Sequence, residues 1–349
     1  METQATYPVF HISDLHFSLS PLRLHWRSVP DLIAYHRYIK ECLPSGEDFS
    51  MSCELTSHSE AIKRRLAHRI NEDSAKGQTT VISGDISAAG KKEELEIGKS
   101  FIEDKRQRES ITKLYKDLTY DVSIFSQEQQ LFLVPGNHDR YKNEKGEPGG
   151  SIFYDVFSSY WPKSEYVSEP LVLGEKVENK LKLAFIGVDF CLHSKSQING
   201  CLKWGRYGQG FAGSFSDKET PLYELIKKTK NFIDDNPDTP IVWVTHFPIR
   251  HSDENRCLQL VNADLVENAA IELGVQVILS GHRHDFYKYK HENHQLTIIN
   301  AGSATSIGTA FSFTKIMFVV ENGIVYTQDS EWRYNKNMDE FQLYLKEPI

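Results

Sequence analysis

The feature that most constrains the fold is a series of short apolar runs, rich in Val and Ile, that recur along the chain. The runs are PVFHISD (8–14), TTVISGD (79–85), QLFLVPGNHD (130–139), KLAFIGVD (182–189), IVWVTHFP (241–248), VQVILSGHRH (275–284) and LTIINAGS (296–303). Most of them lack the polar–apolar alternation of half-exposed strands, which is typical of strands buried on both faces. The pattern therefore predicts a sheet that is covered on both sides.

Stretches between these runs have the periodicity of helices. The predicted helices span 57–73, 91–118 (as one long helix or two shorter ones), 221–235 and 264–274. In the first, Ile62, Leu66 and Ile70 recur at the spacing of one helix face, and Gly274 ends the last as a common helix terminator. Strands that alternate with helices indicate an α/β fold.

Two segments depart from this alternation. Residues 18–56 and 141–180 are expected to be insertions in a single domain that spans 1–349. From about residue 285 the chain becomes β-rich, and ENG at 321–323 is typical of a hairpin turn. Long insertions in compact domains often cover a functional site, so these two are candidates for setting the substrate.

Composition narrows the class of protein. The net charge of −8 argues against tight, non-specific binding of a nucleic-acid backbone. The five cysteines are odd in number and form no Cys-x-x-Cys pair, which favours reduced thiols over a disulfide frame or a zinc knuckle. We find neither a secretory leader nor an apolar stretch of about 18 residues, so we expect no membrane span and a cytoplasmic location.

Polar side chains follow five of the apolar runs. They are Asp14 and His16, then Asp85, then Asn137 with His138 and Asp139, then His246, and finally His282 with His284. In open α/β sheets ligands gather at the carboxyl ends of strands, so we expect these side chains to meet in one region. Each motif alone is more often structural, and only their joint occurrence in this order indicates a site.

The mixture of donors indicates the kind of ligand. Carboxylate, amide oxygen and neutral imidazole together suit Mn, Fe, Zn and Ni, whereas an all-oxygen set would favour Mg or Ca. Seven of these donors would be too many for one ion and are about right for two ions that share a carboxylate. Two such ions can clamp the attacking and leaving oxygens of a phosphoryl transfer.

The motifs DLH (14–16), GD (84–85), GNHD (136–139), THFP (245–248) and GHRH (281–284) together resemble the calcineurin-like metallophosphoesterase superfamily. The resemblance implies an α/β fold, a four-layer α-β-β-α sandwich of two mixed sheets flanked by helices. It implies a first metal held by Asp14, His16 and His284. It implies a second metal held by Asn137, His246 and His282, with Asp85 as the bridge between the two. Mn, or a pair of Fe and Mn, is the favoured metal content.

The same resemblance implies roles for the rest of the third motif. The nucleophile is expected to be a hydroxide activated by the metals, so no protein nucleophile is required. His138 is expected beside the leaving-group oxygen as a proton donor, and Asp139 is expected to orient the His138 imidazole. Arg140 is expected to face either phosphate or only water.

The second motif favours one branch of the superfamily. Protein Ser/Thr phosphatases carry Gly-Asp-x-x-Asp-Arg-Gly there, and the arginine that would grip a phosphomonoester is absent from GDISAAG (84–90). The segment is instead similar to class III cyclic-nucleotide phosphodiesterases, whose His-His-Pro would correspond to HFP (246–248) with Phe247 in place of the second His. A phosphodiesterase that acts on a cyclic nucleotide or another small phosphodiester is therefore the favoured function.

Other functions stay open at this point. A nuclease of the double-strand-break-repair type shares all the motifs, and LKWGRYGQG (202–210), Arg140, Arg250 and Arg283 could line its groove. The net charge of −8 leans towards a small substrate over nucleic acid. A phosphomonoesterase or an inactive binding module is less favoured, because none of the expected metal ligands has been lost.

Overall fold

The computed structural model describes residues 4–17, 60–73, 78–103, 123–124, 129–142, 149–161, 166–174, 181–191, 210–250, 260–306 and 310–345. The predicted insertion at 18–56, the second half of the predicted helix at 91–118 and nearly all of the loop at 202–210 lie outside the described residues.

The described residues form strands and helices in an alternating order. The strands are β1 (Gln4–Ile12), β2 (Thr79–Ile82), β3 (Gln130–Leu133), β4 (Leu171–Leu173), β5 (Leu183–Val188), β6 (Gly210–Phe211), β7 (Ile241–Thr245), β8 (Leu260–Val261), β9 (Val277–Ser280), β10 (Tyr287–Lys290), β11 (Thr297–Asn300), β12 (Ser312–Glu321), β13 (Ile324–Asn335) and β14 (Glu340–Leu343). The helices are α1 (Glu60–Asp73), α2 (Lys92–Ile102), α3 (Ile152–Val156), α4 (Pro221–Asp235) and α5 (Ala263–Glu272), and a 3₁₀ turn spans His138–Arg140.

Each predicted apolar run contains a strand, although the strands end before the polar residues that close the runs. The prediction of a helix over 221–235 is confirmed by α4. Part of the segment 141–180, predicted as an insertion, forms α3 and β4. The predicted hairpin turn is also confirmed, since Asn322 and Gly323 have positive φ angles of 50° and 76° between β12 and β13.

The first sheet has the strand order β14-β13-β12-β1-β2-β3. Strands β1, β2 and β3 are parallel, whereas β1, β12, β13 and β14 pair antiparallel in turn. The carboxyl ends of β1, β2 and β3 therefore lie at one edge of the sheet.

The second sheet has the order β10-β11-β9-β7-β5-β4, with β11, β9, β7 and β5 parallel and an antiparallel strand at each edge. A short parallel pair joins β6 to β8. Both large sheets are mixed, and the carboxyl ends of β7 and β9 are neighbours.

The second sheet is buried on both faces. Val242 and Val244 of β7 belong to the core that also contains strands of the first sheet, while Ile241 and Trp243 pack with residues of α4 and α5. The Trp243 Nε1–H donates a hydrogen bond to Thr229 Oγ1 of α4 at 3.1 Å. Burial on both faces is the physical reason why these runs are continuously apolar.

Helix α1 covers the first sheet. Its Arg69 guanidinium lies 4.3 Å from the centre of the Trp332 ring on β13, and Lys315 of β12 pairs with Asp73 at 3.6 Å. The layers therefore follow the order helix, sheet, sheet, helix, and the predicted α-β-β-α sandwich of two mixed sheets is confirmed.

None of the helices in the described residues is long and apolar enough to cross a membrane. Of the cysteines, Cys191 lies in the described part of the chain, where its thiol is free and buried.

Candidate metal centre

The predicted ligands lie at the carboxyl ends of strands from both sheets. The first sheet supplies Asp14 and His16 after β1, Asp85 after β2 and Asn137 after β3; the second supplies His246 after β7 and His282 and His284 after β9. All of these except Asn137 fall into groups of His and Asp whose ligand atoms lie within 4.8 Å of one another. Asn137 joins them, because its Oδ1 lies 3.0 Å from His246 Nε2.

The first group consists of Asp14, His16 and His284. Asp14 Oδ1 lies 3.7 Å from His16 Nε2 and 3.3 Å from His284 Nε2. Oδ1 is buried without a hydrogen-bond donor among the described residues, whereas Oδ2 accepts the backbone N–H of His282 at 3.0 Å. One oxygen thus anchors the carboxylate, and the other faces two imidazole nitrogens.

The second group consists of Asn137, His246 and His282. His246 Nε2 lies 3.1 Å from His282 Nδ1, in addition to its contact with Asn137. The Asn137 amide donates from Nδ2 to the Tyr141 hydroxyl at 2.8 Å, which turns the amide oxygen towards the histidines. His246 Nδ1 lies 2.8 Å from the Ser83 carbonyl, and donation to that carbonyl leaves Nε2 with its lone pair.

Asp85 lies between the two groups. Its Oδ2 is 3.4 Å from Nε2 of His16 in the first group and 3.3 Å from Nε2 of His246 in the second. Its Oδ1 accepts the backbone N–H of His138 at 2.9 Å. A single carboxylate oxygen therefore faces one histidine of each group.

These separations suit donors that share a cation. Two donors each about 2.1 Å from one ion lie about 3.0 Å apart at an octahedral angle and about 3.4 Å apart at a tetrahedral one. The separation of 3.7 Å between Asp14 Oδ1 and His16 Nε2 is longer than this. The other separations between pairs of ligand atoms given above lie in this range. The described residues therefore contain His and Asp groups that could hold metal ions.

The backbone is strained at five of these positions. The φ angle is 57° at Asp14, 45° at His16, 54° at Asp85, 72° at His282 and 61° at His284. Only three other non-glycine residues in the described part of the chain have a positive φ. Such strain costs about 1–3 kcal/mol per residue and clusters at functional sites, so it indicates loops that are shaped for these side chains.

Glycines of the motifs give the loops room to approach each other. A Cβ at Gly136 would lie 2.1 Å from Asp85 Oδ1, and a Cβ at Gly84, where φ is 96°, would lie 2.6 Å from His246 Nδ1. The glycine before Asp85 and the glycine before Asn137 are thus required by close contact between the loops.

Burial and charge act against each other on the pKa values of the histidines. Burial lowers the pKa of His16 to about 4 and holds the pKa of His282 well below its usual value, so both rings are neutral. Burial is also the largest single effect on His246 and acts to lower its pKa, but the charge of Asp85 and its hydrogen bond, the charge of Asp14 and the hydrogen bond to Ser83 together outweigh burial and raise that pKa to about 9. At neutral pH the His246 ring therefore carries a second proton. Because an imidazole ligand must be neutral, a cation that binds at His246 displaces that proton.

His138 is the partly exposed member of its motif, whereas Asn137, Asp139 and Arg140 are buried. Its ring lies edge-on to the His16 ring, with 4.6 Å between centroids. The ring is held by the Ala88 carbonyl, 2.7 Å from its Nδ1, and the predicted orienting contact from Asp139 is replaced by this backbone contact.

Asp139 binds the backbone instead of the imidazole. Its Oδ1 accepts the N–H of Ser87 at 2.7 Å, and its Oδ2 accepts those of Ile86 at 3.1 Å and Gly136 at 2.9 Å. Burial, with the charge of Asp85 in addition, raises the pKa of Asp139 to about 6 against these three donors. Asp139 thus ties the loop after β2 to the loop after β3, because its carboxylate meets amides of both loops at short range.

Arg140 faces neither phosphate nor water, so both predicted roles for it are wrong. Its side chain is fully buried, and its Nε lies 3.0 Å from Asp189 Oδ2. The guanidinium lies 4.2 Å from the centre of the Tyr154 ring and donates from Nη1 to the Gly150 carbonyl. The Tyr154 hydroxyl also donates to Asp189 Oδ2, at 3.1 Å. The charge of Arg140 is compensated inside the fold.

Phe247 packs behind the histidines. Its ring is fully buried, 4.5 Å from the His282 ring centroid and 5.4 Å from that of His246. The ring also packs closely against Gly210, where a Cβ would lie 2.3 Å from Phe247 Cδ2. The phenylalanine in the place of the second His of His-His-Pro therefore supports the second group from the protein interior.

Sequence reasoning missed the residues that hold the candidate ligands and His138 in place. They are Ser83, Ala88, Tyr141 and Ser306. Ser83 and Ala88 act through carbonyls that every residue has, so no motif could mark them. Tyr141 follows Asn137 by four residues, and its proximity to the motif was a usable signal.

Two solved structures are similar to this chain over most of its length. A dimetal phosphatase from Danio rerio is 12% identical over 93% of this chain and 98% of that chain, with a TM-score of 0.48. GAP50, the anchor in the inner membrane complex of Plasmodium, is 13% identical over 98% of this chain and 90% of that chain, also with a TM-score of 0.48. No curated protein matches the chain with significance.

Residues 7–286 match the family described as calcineurin-like phosphoesterase. The match covers most of the chain and includes every motif that supplies a candidate ligand. The chain therefore belongs to the calcineurin-like phosphoesterase family.

Proposed function

We propose that this metallophosphoesterase hydrolyses phosphodiester bonds in a small substrate with the help of two divalent cations. Asp14, His16 and His284 would hold one cation. Asn137, His246 and His282 would hold the other, and Asp85 would bind both. The observation that carries the proposal is Asp85 Oδ2, which lies 3.4 Å and 3.3 Å from a histidine nitrogen of each group.

The donor set favours Mn, Fe, Zn or Ni over Mg or Ca, and among these we propose Mn, or Fe with Mn, as the bound metals. Each group combines imidazole nitrogen with carboxylate or amide oxygen, and no cysteine belongs to the groups found among the described residues. This mixture suits borderline divalent metals better than Mg or Ca, which take oxygen ligands. When bound, the two cations would supply Lewis-acid activation of water and of the phosphoryl oxygens.

Two residues that do not bind the cations would have separate roles, His138 as a proton donor and Asp139 as a positioning residue. The partly exposed His138 is suited to hand the Nε2 proton of its doubly protonated ring to the departing oxygen, because donation from Nδ1 to the Ala88 carbonyl orients the ring. Asp139 would act as a positioning residue through the backbone, since it holds the two loops that carry Asp85 and His138.

The preference for diesters over monoesters rests on the second and third motifs. A phosphomonoester dianion carries one more charge and gains from an added arginine, but GDISAAG (84–90) offers none. Arg140, the arginine of the third motif, is fully buried against Asp189. These observations favour the singly charged phosphate of a diester.

A substrate panel tests the proposal. In Mn²⁺, we expect kcat/KM for bis(p-nitrophenyl) phosphate to exceed that for p-nitrophenyl phosphate at least about tenfold, a difference of about 1.4 kcal/mol in transition-state stabilisation. A cyclic nucleotide should also be hydrolysed. Faster hydrolysis of the monoester would contradict the proposed substrate class, and digestion of single-stranded DNA without hydrolysis of cyclic nucleotides would favour a nuclease.

His138→Ala should lower kcat for a cyclic nucleotide about 100- to 10,000-fold, because its leaving group is an alkoxide that must be protonated. The loss should be much smaller for bis(p-nitrophenyl) phosphate, whose phenolate leaves without a proton. Steady-state kinetics on both substrates measure the difference. His291→Ala, at a histidine of similar exposure between β10 and β11, is the matched control. Equal losses on both substrates would rule out proton donation by His138.

A further inference from the structure

Residues 303–306, which follow β11, bind the backbone of the first ligand loop. The Ser303 hydroxyl donates to the Asp14 carbonyl at 3.0 Å. The Thr305 hydroxyl lies 3.1 Å from the same carbonyl and 3.2 Å from the carbonyl of Leu15. This segment of the second sheet therefore holds the backbone at Asp14, which belongs to the first sheet.

The same segment also binds His284. The Ser303 N–H donates to the His284 carbonyl at 3.1 Å, and the Ser306 N–H donates to Ser303 Oγ at 3.0 Å. At the end of the segment, Ser306 Oγ lies 3.1 Å from His284 Nδ1. Ser306 is almost fully buried, so water does not compete freely for its hydroxyl.

The Nδ1 atom of His284 has a different kind of partner from the Nδ1 atoms of His246 and His138. His246 and His138 have backbone carbonyls at Nδ1, of Ser83 and Ala88 respectively, whereas His284 has a side-chain hydroxyl there. The His284 side chain is also 27% exposed, against 0% for His246. A less enclosed ring depends more on its hydrogen bond for its orientation.

The contact with Ser306 also decides which nitrogen of His284 is free. If Nδ1–H donates to Ser306 Oγ, the lone pair of the neutral ring lies on Nε2. That nitrogen faces Asp14 Oδ1 at 3.3 Å. Contacts of this kind to a ligating histidine typically change metal affinity about 10- to 100-fold.

We propose that Ser306 is a positioning residue for the cation held by Asp14, His16 and His284, and that its hydroxyl sets the affinity for that cation but not for the other. The inference rests on the proposed function, in which the two groups each hold a metal. Nothing in the motifs marks Ser306, because it lies 22 residues beyond its partner.

Calorimetric titration of the chelator-treated full chain with Mn²⁺ tests the proposal without reference to activity. The unaltered chain should bind two ions. Ser306→Ala should weaken one of the two binding events about 10- to 100-fold and leave the other unchanged. Ser306→Thr keeps the hydroxyl and should restore the first event. Ser330→Ala, which removes a hydroxyl that donates to the Lys315 carbonyl, is the matched control and should bind like the unaltered chain.

Kinetics separate positioning from a direct part in the reaction. For Ser306→Ala the Mn²⁺ concentration that gives half-maximal hydrolysis should rise by the same factor, and kcat at saturating Mn²⁺ should recover. If circular dichroism shows that Ser306→Ala does not fold, Ser306→Cys takes its place, because a thiol is a poor hydrogen-bond partner of similar size.

The outcomes distinguish this inference from the function on which it rests. An unaltered chain that binds no Mn²⁺ would overturn the proposed function. Two ions bound with the same affinities by the unaltered chain and by Ser306→Ala would overturn only the role of Ser306. A loss of kcat that saturating Mn²⁺ does not restore would also contradict a positioning role.

Discussion

Asp85→Asn should lower the hydrolysis of bis(p-nitrophenyl) phosphate in Mn²⁺ by about a thousandfold or more. This corresponds to the loss of about 4 kcal/mol of transition-state stabilisation, which is within what a pair of bound cations supplies. The expected cause is the loss of one negative charge at the point where the two ligand groups meet.

The geometry around Asp85 explains why an amide cannot replace the carboxylate. Oδ1 accepts the His138 N–H, so in the Asp85→Asn variant the amide oxygen would keep that contact and the NH₂ group would take the place of Oδ2. That group would then face His16 and His246, where it would meet the two cations with a donor instead of a lone pair. Two neighbouring cations without a shared anion also repel each other.

Three measurements make this result interpretable. Circular dichroism shows whether the Asp85→Asn variant is folded, and calorimetry with Mn²⁺ shows whether it has lost metal. Asp234→Asn, on the exposed side of α4, removes the same charge away from the site and should keep full activity. Full activity in a folded Asp85→Asn variant would refute the two-cation assignment.

Arg140→Met should destabilise the protein by about 3–5 kcal/mol, because it leaves the charge of Asp189 buried without its partner. Methionine has a similar length and no charge, so the change removes the ion pair and keeps most of the packing. Urea unfolding, followed by tryptophan fluorescence, measures the loss as a lower denaturant midpoint.

Two further variants show whether the effect of Arg140→Met comes from the buried ion pair or from the loss of an arginine alone. Arg250 binds both carboxylate oxygens of Glu267 at 2.8 Å, but its side chain is 42% exposed, so Arg250→Met should cost no more than about 1 kcal/mol. Adding Asp189→Asn to Arg140→Met should recover part of the stability, because the unpaired charge is then gone. A loss below about 1 kcal/mol for Arg140→Met would show that the buried pair contributes little.

The strands and the assembly of the site were predictable, because the strands follow from local apolar runs and the site follows from the edge at which parallel strands end. Continuous apolar runs follow from burial on both faces, as β7 shows with Val242 and Trp243 on opposite sides. Parallel strands that end at one edge bring Asp14 and Asp85 together whatever the exact loop conformation. The strands end before the predicted runs do, since a run does not show where hydrogen bonding stops.

The partners of the motif residues were not predictable, because they come from distant parts of the chain. Asp139 was expected to hold His138, its neighbour, but its carboxylate reaches amides that lie some fifty residues earlier. Arg140 was expected to face either phosphate or only water, but it pairs with Asp189 in the interior. Sequence patterns report which face of an element is buried, and they do not report which polar groups meet there.

The left-handed backbone at the candidate ligands was equally hidden from the sequence. A glycine in the sequence often indicates such a conformation, but Asp14, Asp85 and His282 adopt it although they are not glycines. The strain is maintained by the contacts around it, such as the hydroxyls of residues 303–306 on the Asp14 carbonyl.

Each of the two ligand groups draws its members from both sheets. Asp14 and His16 come from the first sheet and His284 from the second, and Asn137 faces His246 in the same way. Cations bound as proposed would therefore cross-link the two halves of the sandwich and would bind only when those halves are docked. By mass action, one ion at a hundred times its dissociation constant adds about 2.7 kcal/mol to the free energy of unfolding. The supply of divalent metal would thus govern how stable the folded chain is as well as how fast it turns over.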